Sequence, residues 1–216
     1  MIADVKTALA VAGKLLQIKA IKLQPAEPFT WASGWKSPIY CDNRIILSHP
    51  EVRAYVRELL TTTVREKYAE VELIAGVATG AIAMGVLVAQ ELGLPFVYVR
   101  PEPKSHGRKN QIEGQLPEGS RTVVIEDLVS TGGSSLKAVK ALREAGARVL
   151  GMAAVFTYGF PIAEQNFKNN DCGLVTLSDY EHLLLRSQEE GNMDQQTFNT
   201  LQEWRQNPSA WLADAQ

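Results

Sequence analysis

The chain has 216 residues, 45% of them hydrophobic, which is enough for one substantial core with a small appendage. A net charge of −2 and a pI near 6.0 argue against a nucleic-acid-binding protein, because such proteins carry a strongly basic face. No apolar run approaches the roughly 20 residues of a membrane span, and Cys41 and Cys172 lack metal-ligand or disulfide spacing, so we expect one cytoplasmic domain, residues 1–216.

The first predicted element is an amphipathic helix within residues 1–20, where charged side chains among the apolar ones do not suit a signal peptide. Residues 20–47 do not follow the strand and helix alternation of the remaining chain. We expect them to form a small cap together with part of the C-terminal region. A capping box at Ser48-His49-Pro50-Glu51 then predicts a helix that runs to about Tyr68.

Five apolar, mostly β-branched runs predict central strands at residues 71–77, 96–100, 122–126, 149–157 and 174–177. Helical spacing predicts helices at 81–92, at 136–145 with Gly146 as the stop, and at 194–204 before Pro208. Alternation of this kind predicts an α/β fold. Its mostly parallel sheet would be covered on both faces and would bind ligands at the carboxyl ends of its strands.

Residues 100–114 contain almost no apolar side chains and predict a long loop after the second of these strands. Its basic residues could surround a polyanion: Arg100, Lys104, His106, Arg108 and Lys109. A loop that closes over a sugar diphosphate could exclude water and neutralise a departing pyrophosphate, and His106 could donate a proton. A solvated charged loop is the alternative interpretation.

The most specific stretch is residues 121–135, where an apolar strand leads through two carboxylates and a Gly/Ser/Thr turn into a helix. Gly132 and Gly133 let the backbone approach a ligand closely. The N–H groups at the helix start, together with neighbouring hydroxyls, form a site for a phosphate; these hydroxyls belong to Ser130, Thr131, Ser134 and Ser135. Glu126 and Asp127 would repel a bare phosphate, so they suit ribose hydroxyls or a magnesium ion, and a sugar phosphate fits best.

The alternative interpretation is a capped turn at the end of a strand that binds no ligand. The commoner phosphate motifs are absent, since the turn has neither Gly-Lys-Ser/Thr nor Gly-x-Gly-x-x-Gly after the strand. Residues 125–134 instead resemble the phosphoribosyl pyrophosphate signature of the type I phosphoribosyltransferases.

A third segment, residues 28–44, contains Phe-Thr-Trp-Ala-Ser-Gly-Trp-Lys-Ser-Pro-Ile-Tyr. Alone it would pass as a loop with a turn at Pro38. Together with the basic loop and the acidic turn, it resembles the orotate phosphoribosyltransferase family over about residues 1–185. The resemblance implies a type I phosphoribosyltransferase fold with a cap.

The same resemblance implies reversible transfer of a phosphoribosyl group from phosphoribosyl pyrophosphate (PRPP) to orotate in pyrimidine synthesis, giving orotidine 5'-phosphate and pyrophosphate. Mg²⁺ would bridge the diphosphate and the sugar hydroxyls, with no direct protein ligand. Family members are homodimers in which the loop, here residues 100–114, reaches into the partner's site. No nucleic acid or membrane partner is implied.

Residue by residue, the resemblance implies that Glu126 and Asp127 hold the ribose hydroxyls. The 5'-phosphate would be wrapped by Leu128, Val129, Ser130, Thr131, Gly132, Gly133 and Ser134. Ser130 would also lie near orotate. Arg100, Lys104 and His106 would contact the diphosphate, and Lys104, His106 and Asp127 are the expected catalytic residues.

The chain departs from some family members at three places. Pro101 stands in place of a second loop lysine, and Arg108 and Lys109 are the candidates to supply its contact. The turn at 76–81 lacks a lysine and offers the Thr79 hydroxyl and backbone N–H groups. An arginine that binds the orotate carboxylate is missing from residues 156–160. The hypothesis is that Arg44 or Lys36 binds the carboxylate instead, and Lys22 is a further possible contact.

Three other functions stay open at this point. A phosphoribosyltransferase for a different base would share the sugar-phosphate motif. A regulatory protein could keep the fold to sense PRPP or bind RNA, although the charge argues against RNA. A plain nucleotide-binding module would have no use for the basic loop.

Overall fold

A computed structural model describes residues 2–31, 34–102 and 111–211. These ranges contain the strands β1 (Ile21–Leu23), β2 (Phe29–Thr30), β3 (Lys36–Ser37), β4 (Ile39–Cys41), β5 (Leu73–Val77), β6 (Phe96–Val99), β7 (Ile112–Glu113), β8 (Arg121–Val129), β9 (Arg148–Thr157) and β10 (Leu174–Asp179). The helices are α1 (Val5–Gln17), α2 (Pro50–Lys67), α3 (Ile82–Leu92), α4 (Gly133–Glu144), α5 (Pro161–Asn169), α6 (Tyr180–Glu189) and α7 (Gln195–Gln206), with a 3-10 helix at Asn43–Ser48.

Six strands form the central sheet, in the order β10-β9-β8-β5-β6-β7. Every neighbouring pair is parallel except β6 and β7, which are antiparallel. The α/β fold with a mostly parallel sheet is therefore confirmed. Strand β8 lies between β5 and β9, so its carboxyl end sits near the middle of the ligand-binding edge of the sheet.

Alternate residues of β8 face two different hydrophobic cores. Val123 and Ile125 pack in the larger core with α1, α2, α3, α6 and α7, whereas Val124 packs in the smaller core with α4 and α5. Because side chains alternate along a strand, Glu126 follows Val124 toward α4, and Asp127 follows Ile125 toward the other face. The two adjacent carboxylates thus leave the strand in opposite directions.

The predicted cap residues form two small antiparallel pairs, β1 with β4 and β2 with β3. Two long-range hydrogen bonds connect this segment to the rest of the chain. Asn43 Nδ2 donates to the Asp127 carbonyl at 2.6 Å, and Trp204 Nε1 of α7 donates to the Lys36 carbonyl at 3.2 Å. The description of residues 1–216 as one domain with a cap stays a prediction.

The predicted capping box is wrong. Ser48 ends the 3-10 helix, and His49 is the N-cap of α2 without a side-chain hydrogen bond. Pro50 marks the helix start instead, because proline at the first helical position has no N–H to leave unpaired.

Other elements were longer than predicted or were not predicted. Strand β8 continues through Glu126 and Asp127 to Val129, because β9 pairs with it along this length. Helices α5 and α6 follow β9 and β10 with little linker, and the Asp179 carboxylate caps α6 by accepting from His182 N at 2.9 Å. Among the described residues, no helix is long and apolar enough to cross a membrane.

Candidate active site

A cavity of about 350 Å³ lies where β5 and β8 end, and we call it the acidic cavity. Asp127 of β8 and the residues after β5 form one side, Ser134 at the start of α4 another, and the cap a third. Its lining residues are Cys41, Asp42, Arg44, Val77, Ala78, Thr79, Gly80, Glu126, Asp127, Leu128 and Ser134. The structure therefore brings the acidic pair and the phosphate turn together with the turn after β5.

Asp127 is fixed by two close neighbours. Its carbonyl accepts the 2.6 Å hydrogen bond from the Asn43 amide, and its carboxylate lies directly against the α-carbon of Gly80. A β-carbon on residue 80 would overlap with that carboxylate. Gly80 follows the cis peptide bond between Ala78 and Thr79. The Asp127 carboxylate can occupy this position because residue 80 has no side chain.

Glu126 is 4% exposed, and its carboxyl group is held against α4. Oε2 accepts from Ser135 Oγ at 2.7 Å, and Oε1 accepts from the Asp127 backbone N–H at 3.1 Å. Burial raises the pKa of Glu126 well above its ordinary value, and the nearby charge of Asp127 raises it further. Of the two carboxylates, Asp127 is therefore the one more open to a ligand in the cavity.

The turn at residues 129–134 is held by contacts to β9 and α5. The Val129 carbonyl accepts from Thr157 Oγ1 at 3.1 Å and from Tyr158 N at 3.2 Å, and the Thr131 carbonyl accepts from Asn166 Nδ2 at 2.9 Å. Since these carbonyls are turned toward β9 and α5, the N–H groups of residues 133–135, which have no earlier helical partner, remain for an anion.

Gly132, the N-cap of α4, has φ +82° and packs closely against Phe167 of α5. A side chain at this position would be strained in its backbone and would meet the Phe167 ring.

A second cavity, of about 270 Å³, adjoins the first, and we call it the aromatic cavity. Its lining residues are Thr30, Trp31, Tyr40, Cys41, Leu128, Ser130 and Tyr158. Cys41 and Leu128 line both cavities. Trp31 and Tyr158 form one wall, with ring centroids 5.1 Å apart.

The two candidate cations for orotate lie beside different cavities. Lys36 Nζ donates to Thr30 Oγ1 at 3.1 Å, and Thr30 lines the aromatic cavity. Arg44 lines the acidic cavity and is paired with Asp42, with 2.7 Å between Nε and Oδ1. Lys22 is opposite Tyr40 in the β1–β4 pair, so the two residues share a face of this small sheet, and Tyr40 lines the aromatic cavity.

The base of the predicted loop is anchored at both ends. Arg100 N donates to the Gln111 carbonyl at 2.8 Å, and Gln111 Nε2 donates to the Arg100 carbonyl at 2.9 Å. The Arg100 guanidinium lies 3.6 Å from the Glu113 carboxylate. Lys104, His106, Arg108 and Lys109 lie outside the described residues.

Several residues of this site had no predicted role in the sequence, among them Trp31, Asn43, Gly80 and Tyr158. Gly80 and Tyr158 each follow a predicted strand at its carboxyl end, which was a usable signal. Trp31 and Asn43 are within the cap segment, but no local pattern indicates what they contact. Within residues 2–31, 34–102 and 111–211, no three His, Cys, Asp or Glu side chains are grouped to hold a metal ion.

Residues 42–176 match the family model of the phosphoribosyl transferase domain, so the chain belongs to that class of protein. An orotate phosphoribosyltransferase of Bacteroides fragilis is 58% identical over 200 residues, which cover 93% of this chain and 94% of that protein. An orotate phosphoribosyltransferase of Porphyromonas gingivalis is 56% identical over 201 residues, which cover 93% of this chain and 96% of that protein.

Among solved structures, orotate phosphoribosyltransferase from Aeropyrum pernix is similar with a TM-score of 0.73 and 28% identity, covering 85% of this chain and 99% of that one. The chain belongs to the orotate phosphoribosyltransferase family. The resemblance stated from the sequence is thereby confirmed.

The burial of Glu126 predicts a pH-dependent stability. The folded chain keeps a proton on this carboxyl at pH values where the unfolded chain, with an ordinary pKa of 4.5, has released it. The free energy of unfolding contributed by Glu126 therefore falls as the pH rises above 4.5 toward the raised pKa. We expect Glu126→Gln to have a higher Tm than the unaltered protein at neutral pH. Each kcal/mol gained in the free energy of unfolding should raise Tm by about 2–4 °C.

Thermal unfolding across a pH series measures this effect, and the gap between the two proteins should close as the pH falls to 4.5. Glu203→Gln, at an exposed position of α7, is the matched control and should show no such trend. A gap that does not change with pH would contradict the explanation.

The contact between Gly80 and Asp127 predicts that Gly80→Ala displaces the Asp127 carboxylate. We expect kcat/KM to fall roughly 10- to 100-fold, the size of effect that a misplacement of about 1 Å produces. Steady-state kinetics measure it, with Gly173→Ala as a control, because the nearest atom to a β-carbon there is 4.0 Å away. Equal kinetics in both variants would show that the position of Asp127 does not limit activity.

Proposed function

We propose that the chain transfers the phosphoribosyl group of PRPP to orotate and releases orotidine 5'-phosphate and pyrophosphate, a step of pyrimidine biosynthesis. One observation carries the proposal: the acidic and aromatic cavities share Cys41 and Leu128 in their walls. A sugar phosphate in the first and a flat base in the second would meet at this wall. The bond from the sugar C1 to the pyrophosphate oxygen breaks, and pyrophosphate leaves with the electron pair. C1 bonds to a ring nitrogen of orotate, and the proton of that nitrogen is released to solvent.

The 5'-phosphate binds at residues 128–134. The unpaired N–H groups at the start of α4 and the positive end of its dipole favour an anion there. The hydroxyls of Ser130, Thr131 and Ser134 add donors around it. This end of the substrate is held by the backbone, which explains why the turn is rich in small residues.

Asp127 accepts hydrogen bonds from the ribose hydroxyls and stabilises positive charge as it develops on the sugar ring. Glu126 belongs to the same ribose subsite in our assignment. In the structure its two oxygens are bonded to Ser135 and to the Asp127 N–H, which supports a further role in fixing the end of β8 against α4.

The diphosphate binds on the side of Thr79, Gly80 and Arg100. Lys104 and His106 complete this subsite in the proposal, where a positive charge and a proton donor would stabilise the departing pyrophosphate. The anchored base of the loop at Arg100 and Gln111 supports a loop that can close over this side.

Orotate binds in the aromatic cavity. The rings of Trp31, Tyr40 and Tyr158 suit a flat heterocycle, and the Ser130 hydroxyl can reach a ring substituent. We assign the orotate carboxylate to Lys36, since its ammonium group is within hydrogen-bond distance of a residue that lines this cavity. Arg44 is the alternative, although it is paired with Asp42 on the acidic side.

The oxygen atoms of PRPP and of this site suit a Mg²⁺ ion that is bound mainly through the substrate. Mg²⁺ prefers oxygen ligands and is typically held by one or two carboxylates together with substrate phosphates and water. The diphosphate and ribose hydroxyls of PRPP would supply oxygens for the ion at the acidic cavity, where Asp127 would hold those hydroxyls without binding the ion directly. When bound, the ion would neutralise charge on the diphosphate.

The proposal also places the enzyme in the cytoplasm as a homodimer in which residues 100–114 serve the partner's site. Two free thiols, Cys41 and Cys172, suit a reducing compartment. Light scattering of the purified chain measures the oligomeric state, and a monomer with full activity would exclude a shared site.

The test of the reaction is an ultraviolet assay of orotate consumption with PRPP and Mg²⁺, run beside uracil, adenine and hypoxanthine as acceptors. Turnover of orotate alone supports both the reaction and the base. Turnover of another base would overturn the assignment of the aromatic cavity. PRPP binding without any turnover would favour a regulatory protein.

The two carboxylate assignments predict different kinetic changes. We expect Lys36→Met, which keeps the apolar stem and removes the charge, to raise the KM of orotate about tenfold or more, since hydrogen bonds between charged groups are strong. The KM of PRPP should stay within about twofold, because Lys36 contacts a residue of the aromatic cavity. Steady-state kinetics with each substrate varied in turn measure both values.

Arg44→Met is the matched variant on the acidic side. It should alter the KM of PRPP more than that of orotate. The reverse ranking of the two variants would assign the carboxylate to Arg44.

A further inference from the structure

Trp204 lies behind the aromatic cavity. It is completely buried, and its ring is packed edge-on against Trp31 and Tyr158, at centroid distances of 5.6 Å and 5.9 Å. Trp31 and Tyr158 both line the cavity, whereas Trp204 does not. Trp204 therefore touches the wall of the cavity from the side opposite to any ligand.

Trp204 also bonds to the cap. Its indole Nε1 donates to the carbonyl of Lys36 at 3.2 Å, and Lys36 is the first residue of β3. Strands β2 and β3 have two residues each and pair only with each other, so this hairpin is too short to be stable alone. Its position over the cavity depends on contacts with the rest of the chain, and Trp204 supplies a hydrogen bond and a ring contact to it.

Helix α7 is in turn held to the body of the protein. Tyr180, at the start of α6, donates from its hydroxyl to the Leu201 carbonyl at 2.9 Å, and its ring packs on Trp204 with centroids 5.4 Å apart. Phe160, after β9, packs edge-on against Trp204 at 5.5 Å. The ring of Trp204 is thus held in place by Tyr180 and Phe160 on one side, and it contacts the cap on the other side.

We propose that Trp204 is a positioning residue for acceptor binding, through which helix α7 holds the hairpin of β2 and β3 and the wall of Trp31 and Tyr158 in place for the base. This inference rests on the proposed function, since it names what the aromatic cavity is positioned to bind. It assigns the C-terminal helix a part in base recognition, although no α7 residue lines that cavity among the described residues.

The variant that tests this role is Trp204→Phe, which keeps an aromatic ring and removes the N–H donor, so that the Lys36 carbonyl loses its partner. We expect the KM of orotate to rise about three- to tenfold, the effect of one lost hydrogen bond. The KM of PRPP and kcat should change less than about twofold, because the acidic cavity does not depend on this contact.

Phe198→Leu is the matched control. It removes a ring from the same helix, where Phe198 lines a different cavity with Glu181 and Gln202. If it raises the KM of orotate as much as Trp204→Phe does, the effect is general loosening of α7 and the inference is overturned. An unchanged KM of orotate in Trp204→Phe overturns it as well.

A measurement on the unaltered protein covers the case in which Trp204→Phe does not fold. Amide hydrogen exchange of residues 195–206 is measured in two complexes, one with orotidine 5'-phosphate and one with ribose 5-phosphate. The first ligand carries the base and the second does not. Slower exchange in α7 with the nucleotide than with the sugar phosphate is expected, because coupling between two sites is reciprocal.

Equal exchange in the two complexes would refute the positioning role. The failure of the proposed function has a different signature, since the unaltered protein would then turn over no orotate and the nucleotide would give no protection anywhere in the described chain.

Discussion

The site depends on the position of strand β8 at the centre of the sheet. Pairing with β5 and β9 holds its carboxyl end at the edge where parallel strands present ligands, and its two-residue period sends Glu126 and Asp127 to opposite faces. The Glu126 carboxyl group is buried against α4, and the Asp127 carboxylate is the more open of the two at the acidic cavity. The turn that follows leads directly into α4, so a single crossover supplies both backbone N–H groups suited to an anion and a carboxylate at the acidic cavity.

The aromatic cavity is bordered by the cap, whose short hairpins are not stable by themselves. These hairpins have strands of two or three residues, and their position comes from long-range contacts. Asn43 bonds the cap to the backbone of Asp127, and Trp204 bonds it to α7. The acidic and aromatic cavities therefore share part of their walls, and both depend on the contacts that hold the cap in place.

Electrostatics at this site are local. The net charge of −2 says little about the local charges that line the two cavities. Burial favours the neutral form of Glu126, which reduces repulsion of the phosphates close to Asp127. Cations lie beside different cavities, with Arg44 at the acidic cavity and Lys36 beside the aromatic one.

The sequence by itself determined the five central strands, the phosphate turn and the family, because apolar runs and Gly/Ser/Thr turns are properties of neighbouring residues. Only the tertiary structure decided that Ser48 belongs to a 3-10 helix instead of a capping box, and that Lys36 and Arg44 lie at different cavities. It also decided that Glu126 is buried and that Trp204 supports the cap. These features depend on contacts between residues far apart in the chain, which no local pattern specifies.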